Sequence, residues 1–108
     1  MKPAAFTIQS NVAIDNLIGG VTRTWAKSME VFGYIDLLTG SDDATLQDAF
    51  LEQSTHVLII PEYVSGITDQ MRVLKDDGRW YEITYVDDPM DQHHHIEVFL
   101  KYGGVVNV

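Results

Sequence analysis

Met71-Arg72-Val73-Leu74-Lys75-Asp76-Asp77-Gly78-Arg79-Trp80-Tyr81-Glu82-Ile83-Thr84-Tyr85-Val86 decides the fold. Two runs of β-forming residues, Met71 to Lys75 and Arg79 to Val86, flank Asp77-Gly78. An Asp-Gly pair between such runs is a strong hairpin signal, because glycine accepts the positive φ the turn requires. In the second run Tyr81, Ile83 and Tyr85 share one face, while Glu82 and Thr84 share the other. Period-two alternation of this kind marks a strand buried on one side.

Working outward, Asp87-Asp88-Pro89 turns the chain, and a last strand runs from about His94 to Tyr102. Ile96, Val98 and Leu100 face one way there, and Gly103-Gly104 is expected to end it. Upstream, Thr55 to Ile60 reads as a strand that Pro61 closes, since proline cannot donate to a ladder. Ser65-Gly66 is a turn. Phe6-Thr7-Ile8-Gln9 alternates as a strand, and Asn11 to Gly20 reads as a loop. Val21 to Leu37 is too long for one flat strand, so a bend or bulge is expected at Ala26-Lys27-Ser28 or at Gly33.

Residues 39–53 differ. Ser41 can cap a helix whose first turn holds Asp42 and Asp43, where the helix dipole favours negative charge. Leu46, Ala49 and Phe50 then form one apolar stripe, with Asp48 and Glu52 opposite. About three turns of helix are marginal without tertiary support, so the alternative is a loop that orders on assembly. The expected fold is mainly β: a small antiparallel barrel of about six strands, with this segment between the second and third. A barrel is favoured over a sandwich because the long bent strand can serve both sides of a closing sheet.

The chain has 108 residues, and no repeat or linker divides 1–108, so one domain is expected. Lys and Arg total 7 against 16 Asp and Glu, a net charge of −9. Residues 1–40 balance three bases with three acids, so the excess lies wholly in 41–108. No Lys or Arg occurs between Lys27 and Arg72. Such a surface repels phosphate and speaks against a basic nucleic-acid-binding module, while leaving open one that tolerates DNA without gripping it. Cysteine is absent, which excludes disulfides, thiolate metal sites and a Cys nucleophile. No secretory signal or membrane-length apolar run is seen, so a soluble protein made in the cytoplasm is expected.

Candidate chemistry is sparse. His93 and His95 would share a strand face, with Asp87, Asp88 and Asp91 just upstream. They are weak metal candidates, because H-x-H without a third placed ligand is an unspecific pattern, and no metal is assigned. His56 has no nucleophile or acid placed beside it by spacing. The acids at 42–52 lack the calcium-loop spacing. Trp25, Trp80, Tyr81 and Tyr85 could stack bases, but stacking platforms sit in basic grooves, so core packing or subunit contact is favoured. No catalytic motif is present and no cofactor is called for, so an enzyme is not expected.

The ordered set of motifs resembles the phage head–tail joining, or head completion, proteins of long-tailed phages. Arg72-Val73-Leu74, Asp77-Gly78-Arg79, Tyr81-Glu82-Ile83 and Val86-Asp87-Asp88-Pro89 match the family's C-terminal signature, in which Arg72, Gly78, Arg79, Tyr81 and Ile83 stand out. Phe6-Thr7-Ile8-Gln9, Gly19-Gly20 before Trp25, Thr55-His56-Val57 and Gly66-Ile67-Thr68 are similar to its upstream motifs. Family arginines around Val57 and Ile60 are missing, so a contact they make in relatives is not carried over.

The resemblance implies a β-barrel virion protein, assembled in the host bacterial cytoplasm. It would form a homo-oligomeric ring, usually of twelve copies, below the portal and its adaptor. It would close the exit of double-stranded DNA after packaging and offer a docking surface to the tail. The segment between the second and third strands would then face the channel. Asp42, Asp43, Asp48 and Glu52 become an acidic collar, and Leu46, Ala49, Phe50 and Leu51 a plug or subunit packing. The alternatives are a tail terminator or completion protein, and a monomeric ligand- or metal-binding barrel built around the histidines.

Overall fold

The Asp77-Gly78 hairpin forms, and the sheet is organised around it. The computed structural model describes residues 3–38 and 54–106. Strand β4 (Met71–Lys75) and strand β5 (Arg79–Asp87) pair with Val73 opposite Tyr81 and Leu74 opposite Trp80. Gly78 N–H donates to the Lys75 carbonyl at 3.0 Å, and Gly78 takes φ 92°. The connection is a three-residue loop with its last residue left-handed, which suits glycine alone among common residues.

Four further strands complete one antiparallel sheet: β1 (Ala4–Asp15), β2 (Val21–Leu37), β3 (His56–Ile60) and β6 (Ile96–Val105). The order is β1-β2-β3-β6-β5-β4, and β4 pairs back onto β1, so the sheet closes on itself. Most of the residues expected to face inward do so, but Tyr85 does not share the face of Tyr81 and Ile83. The register shift between Ile83 and Tyr85 turns it outward, and Val86 packs against the core instead. Phe6, Ile8, Leu58, Val73, Tyr81, Ile83, Ile96, Val98 and Leu100 are buried in one core with Val31, Ile60 and Ile67. Among the described residues the only helical turn is a 3-10 turn at Pro89–Asp91, and no helix is long and apolar enough to cross a membrane. The helix expected within 39–53 lies outside the described residues.

Three boundaries differ from the sequence reading. The expected loop from Asn11 to Gly20 is mostly strand: β1 continues to Asp15 and pairs with Val21–Trp25. Only the tip turns, because the Asn16 side chain accepts from the N–H groups of Ile18 and Gly20 and closes it. The last strand does not stop at Gly103-Gly104. Gly103 is the extra residue of a bulge between the Trp80–Gly104 and Tyr81–Tyr102 pairs, and a Cβ there would collide with the Trp80 ring. That strand also starts later than expected, at Ile96 rather than His94.

Strand β2 has its bulge at the first of the two expected places. Ile8 pairs with Met29 and Gln9 with Lys27, so Ser28 is bulged out. At Gly33 the strand passes from β1 to β3, whose pairing begins at Tyr34–Ile59. A Cβ at Gly33 would strike the Ile59 carbonyl, so only glycine allows this approach.

Candidate functional site

The topology places two features at opposite ends of β2. At one end β1 and β2 continue past their neighbours as a two-stranded arm. Pairing of β1 with β4 covers only Phe6–Ser10, so Asn11–Asp15 and Val21–Trp25 pair with each other alone. At the other end the chain leaves β2 after Leu37 and returns at His56, its partner in the β2–β3 ladder. The described residues on either side of 39–53 therefore meet at the end of the barrel remote from the arm. The molecule measures 53 × 28 × 27 Å, and 17-residue β2 is the one strand able to run its length.

The root of that insertion is firmly tied. Leu38 N–H donates to the Thr55 carbonyl at 2.8 Å, and Thr55 N–H to the Leu100 carbonyl at 2.7 Å. Thr84 Oγ1 donates to the Phe99 carbonyl at 3.0 Å, which commits its single hydrogen. The buried Ser54 hydroxyl must then be the donor in its 2.7 Å contact with Thr84. The Thr55 hydroxyl accepts from Tyr102 N–H and lies 2.8 Å from His56 Nδ1. Burial first, and the Arg79 charge second, push the His56 pKa below 6.5, while Asp36 opposes them. The Thr55 hydroxyl and the neutral His56 imidazole share this hydrogen bond, its direction set by the tautomer of the ring. The His56 ring meets Tyr81 edge-on at 5.1 Å. His56 is an anchoring residue in this setting, and its partners among the described residues are Thr55 and Tyr81.

On the outer face at the base of the arm, Arg72 is sandwiched between Trp25 at 4.5 Å and Trp80 at 5.1 Å. Its Nε donates to Gln9 at 2.7 Å, and burial lowers its pKa. Two indole faces and a guanidinium make a cation–π stack. This stack forms one wall of an open cleft of about 340 Å³, whose rim carries Asp69 and Glu82. Of the four aromatic residues for which core packing or subunit contact was expected, only Tyr81 lies in the core.

The other signature residues divide by role. Gly78 makes the hairpin turn, Tyr81 and Ile83 fill the core, and Arg79 lies 3.4 Å from Asp77 on the surface. Burial raises the Tyr81 pKa, which keeps its phenol neutral. The two weak metal candidates are parted. His93 sits in the loop before β6, with φ 56°, and its Nδ1 lies 2.5 Å from Asp88. His95 instead pairs with Glu97 at 2.9 Å. Asp88, Asp91 and His93 offer ligand atoms within 4.8 Å of one another on the exposed β5–β6 loop. Asp42, Asp43, Asp48 and Glu52, with Leu46, Ala49, Phe50 and Leu51, lie outside the described residues.

The sequence profile of the family described as phage head completion protein matches residues 5–103. The chain belongs to the phage head completion protein family. No curated protein matches the sequence. Among solved structures the fold is similar to a chain of the "Virion of native gene transfer agent (GTA) particle". The two are 17% identical with a TM-score of 0.62, over 99% of this chain and 98% of that one. At that identity the likeness speaks for the fold. Family membership marks the chain as a structural protein of a phage-like head, a virion component that assembles with other head and tail proteins.

Proposed function

We propose that the chain closes the head as a connector ring below the portal and its adaptor, retaining packaged DNA and receiving the tail. The observation that carries this reading is the tied insertion at residues 39–53. Its sequence holds Asp42, Asp43, Asp48 and Glu52 and no Lys or Arg. The residues that flank it, Leu38 and Thr55, are hydrogen-bonded at one end of the barrel, remote from the arm. In a ring these segments face the channel. Rotational symmetry repeats every carboxylate around the axis, and a collar of like charge repels DNA phosphates as they pass. Leu46, Ala49, Phe50 and Leu51 supply apolar surface for packing between copies or across the lumen. The proposed ring has twelve copies, the number that the resemblance implies.

The test is to change Asp42, Asp43 and Asp48 to Asn together, then measure DNA retention in heads and DNA ejection. The neutral collar lets DNA adhere, so ejection slows. Particles that retain and eject DNA normally would remove the collar role. Cryo-electron microscopy of the neck of assembled particles tests the ring itself, by the number of copies around the axis.

A further inference from the structure

The exposed β5–β6 loop gathers side chains whose chemistry the head-closure reading does not use. Asp88, Asp91 and His93 each bring a ligand atom within 4.8 Å of the other two. The loop folds so as to return them to one another. Asp91 N–H donates to the Asp88 carbonyl at 2.9 Å across the 3-10 turn Pro89–Asp91. Met90, Asp91 and His93 take left-handed φ of 57°, 55° and 56°, a tight course that brings His93 back to Asp88. Asp88 then meets His93 twice: Oδ1 accepts from the His93 backbone N–H at 3.0 Å, and Oδ2 lies 2.5 Å from Nδ1.

The imidazole separates this group from an ordinary acidic surface. It is held from outside the loop as well: Tyr63, in the connection after β3, lies 4.2 Å from the His93 ring, centre to centre, tilted by 40°. No base compensates the acids along the chain. Between Arg79 and Lys101 there is no Lys or Arg, while Glu82, Asp87, Asp88, Asp91 and Glu97 all fall there. The Asp91 carboxylate has no hydrogen-bond or ion-pair partner among the described residues. Two carboxylates alone would suit magnesium or calcium, and an imidazole nitrogen shifts the preference to borderline ions such as zinc. Ligand atoms around a four-coordinate zinc stand about 3.3–3.5 Å apart, so a small inward movement of exposed side chains completes the set.

We propose that Asp88, Asp91 and His93 bind a borderline divalent cation such as zinc, with water completing its coordination. The ion gives Asp91 a partner and offsets the charge of both carboxylates. It cross-links the loop that joins β5 to β6, so binding stabilises the fold by mass action. His94 and His95 are not ligands here. Their Nδ1 atoms face each other at 3.1 Å, and His95 Nε2 is engaged by Glu97 at 2.9 Å. One chain supplies all three ligands, so the inference stands apart from the ring reading.

The test is isothermal titration calorimetry of the full, untagged chain, stripped with EDTA and titrated with zinc chloride. The chain contains no cysteine, so no thiolate competes for the ion. One ion binds per chain. Loss even of an outer-sphere partner of a metal site costs about 10–100-fold in affinity, so Asp91→Asn and His93→Gln each weaken binding at least about tenfold. His94→Gln together with His95→Gln leaves the affinity within about twofold. Magnesium chloride in equal amount does not displace zinc. The melting temperature of the parent rises with zinc concentration, and that of Asp91→Asn does not. Asp91 and His93 are exposed, and circular dichroism checks that each variant folds. Absence of binding at millimolar zinc overturns the proposal. So does zinc binding that survives both Asp91→Asn and His93→Gln, or that is lost in the His94→Gln, His95→Gln chain.

Discussion

Gly33→Ala tests the joint on which closure of the sheet depends. Gly33 pairs with Ala4 of β1, while the next residue of β2 pairs with Ile59 of β3. An alanine Cβ would lie 3.1 Å from the Ile59 carbonyl carbon and 3.3 Å from the Ile60 Cα, with the carbonyl oxygen closer still. These atoms are backbone and cannot rotate aside as a side-chain end would. Overpacking of this kind costs about 1–3 kcal/mol. A rigid obstacle places the cost in the upper half of that range. Loss of glycine's freedom in the unfolded chain offsets about 0.4–1 kcal/mol. The net loss is about 2 kcal/mol, or a Tm lower by roughly 8–12 °C for a domain of this size.

Urea denaturation followed by circular dichroism reads this directly. The midpoint falls while the slope stays the same, because the surface exposed on unfolding is unchanged. Gly19→Ala is the control: its φ is 86°, and nothing lies within 4 Å of an added Cβ. It loses about 1 kcal/mol from backbone strain alone. A Gly33→Ala protein within about 0.5 kcal/mol of the parent would refute the reasoning, since the β2–β3 approach would then not require a bare backbone.

Three further outcomes follow from particular contacts. Leu58→Ala removes a fully buried side chain from the core and costs about 2–5 kcal/mol in thermal or urea unfolding. Arg72→Leu loses the bond to Gln9 and the stack between Trp25 and Trp80, costing about 1–2 kcal/mol and shifting tryptophan emission as the indoles gain water. Arg72→Lys restores charge but not the planar stack, so it recovers only part of that loss. His56 is held neutral in the fold, with its pKa below the unfolded 6.5. The unfolded chain takes up the proton first, so this contribution to stability is fully present above pH 6.5 and declines as pH falls below it. Melting at pH 7.5 and 5.5 should show a larger loss for the parent than for His56→Gln, and equal losses would contradict the assignment.

What could be read from the sequence divides by the range of the interaction. The Asp77-Gly78 hairpin and the inward residues of β6 are local patterns and were legible, as were Tyr81 and Ile83 of β5. Tyr85 was not, because the bulge after Ile83 breaks the period of two. The bulge of β2 at Ser28 was legible as well, from strand length. The outer half of β1 was not, because Asn11, Asp15 and Asn16 resemble loop composition. Its strand character comes from the facing Thr22 and Thr24 and from the turn that Asn16 closes. Gly103 misled for a related reason: its partner, the Trp80 ring, is distant in sequence. The Trp25–Arg72–Trp80 stack joins β2, β4 and β5, and no spacing rule connects those three positions. The acidic content of 39–53 could be read directly, whereas the hydrogen bonds tying its root arise only when β2, β3 and β6 come together.

Strand β2 links the core to the proposed channel segment in one rigid element. Its first residues form the arm, its middle crosses the core, and its last residues adjoin the root of the insertion. The bulge at Ser28 and the crossing at Gly33 are the two places where that strand changes partners or register. Between them Val31 is buried in the core, which fixes the strand's rotation about its own axis. A one-residue slip would turn Val31 outward and move the root of the insertion with it. The core therefore sets where the proposed channel segment is held. This is why Gly33→Ala should disturb channel closure even in particles where the ring still forms. A variant that lowers stability as calculated yet leaves DNA retention intact at permissive temperature would separate the stability of the fold from the placement of that segment.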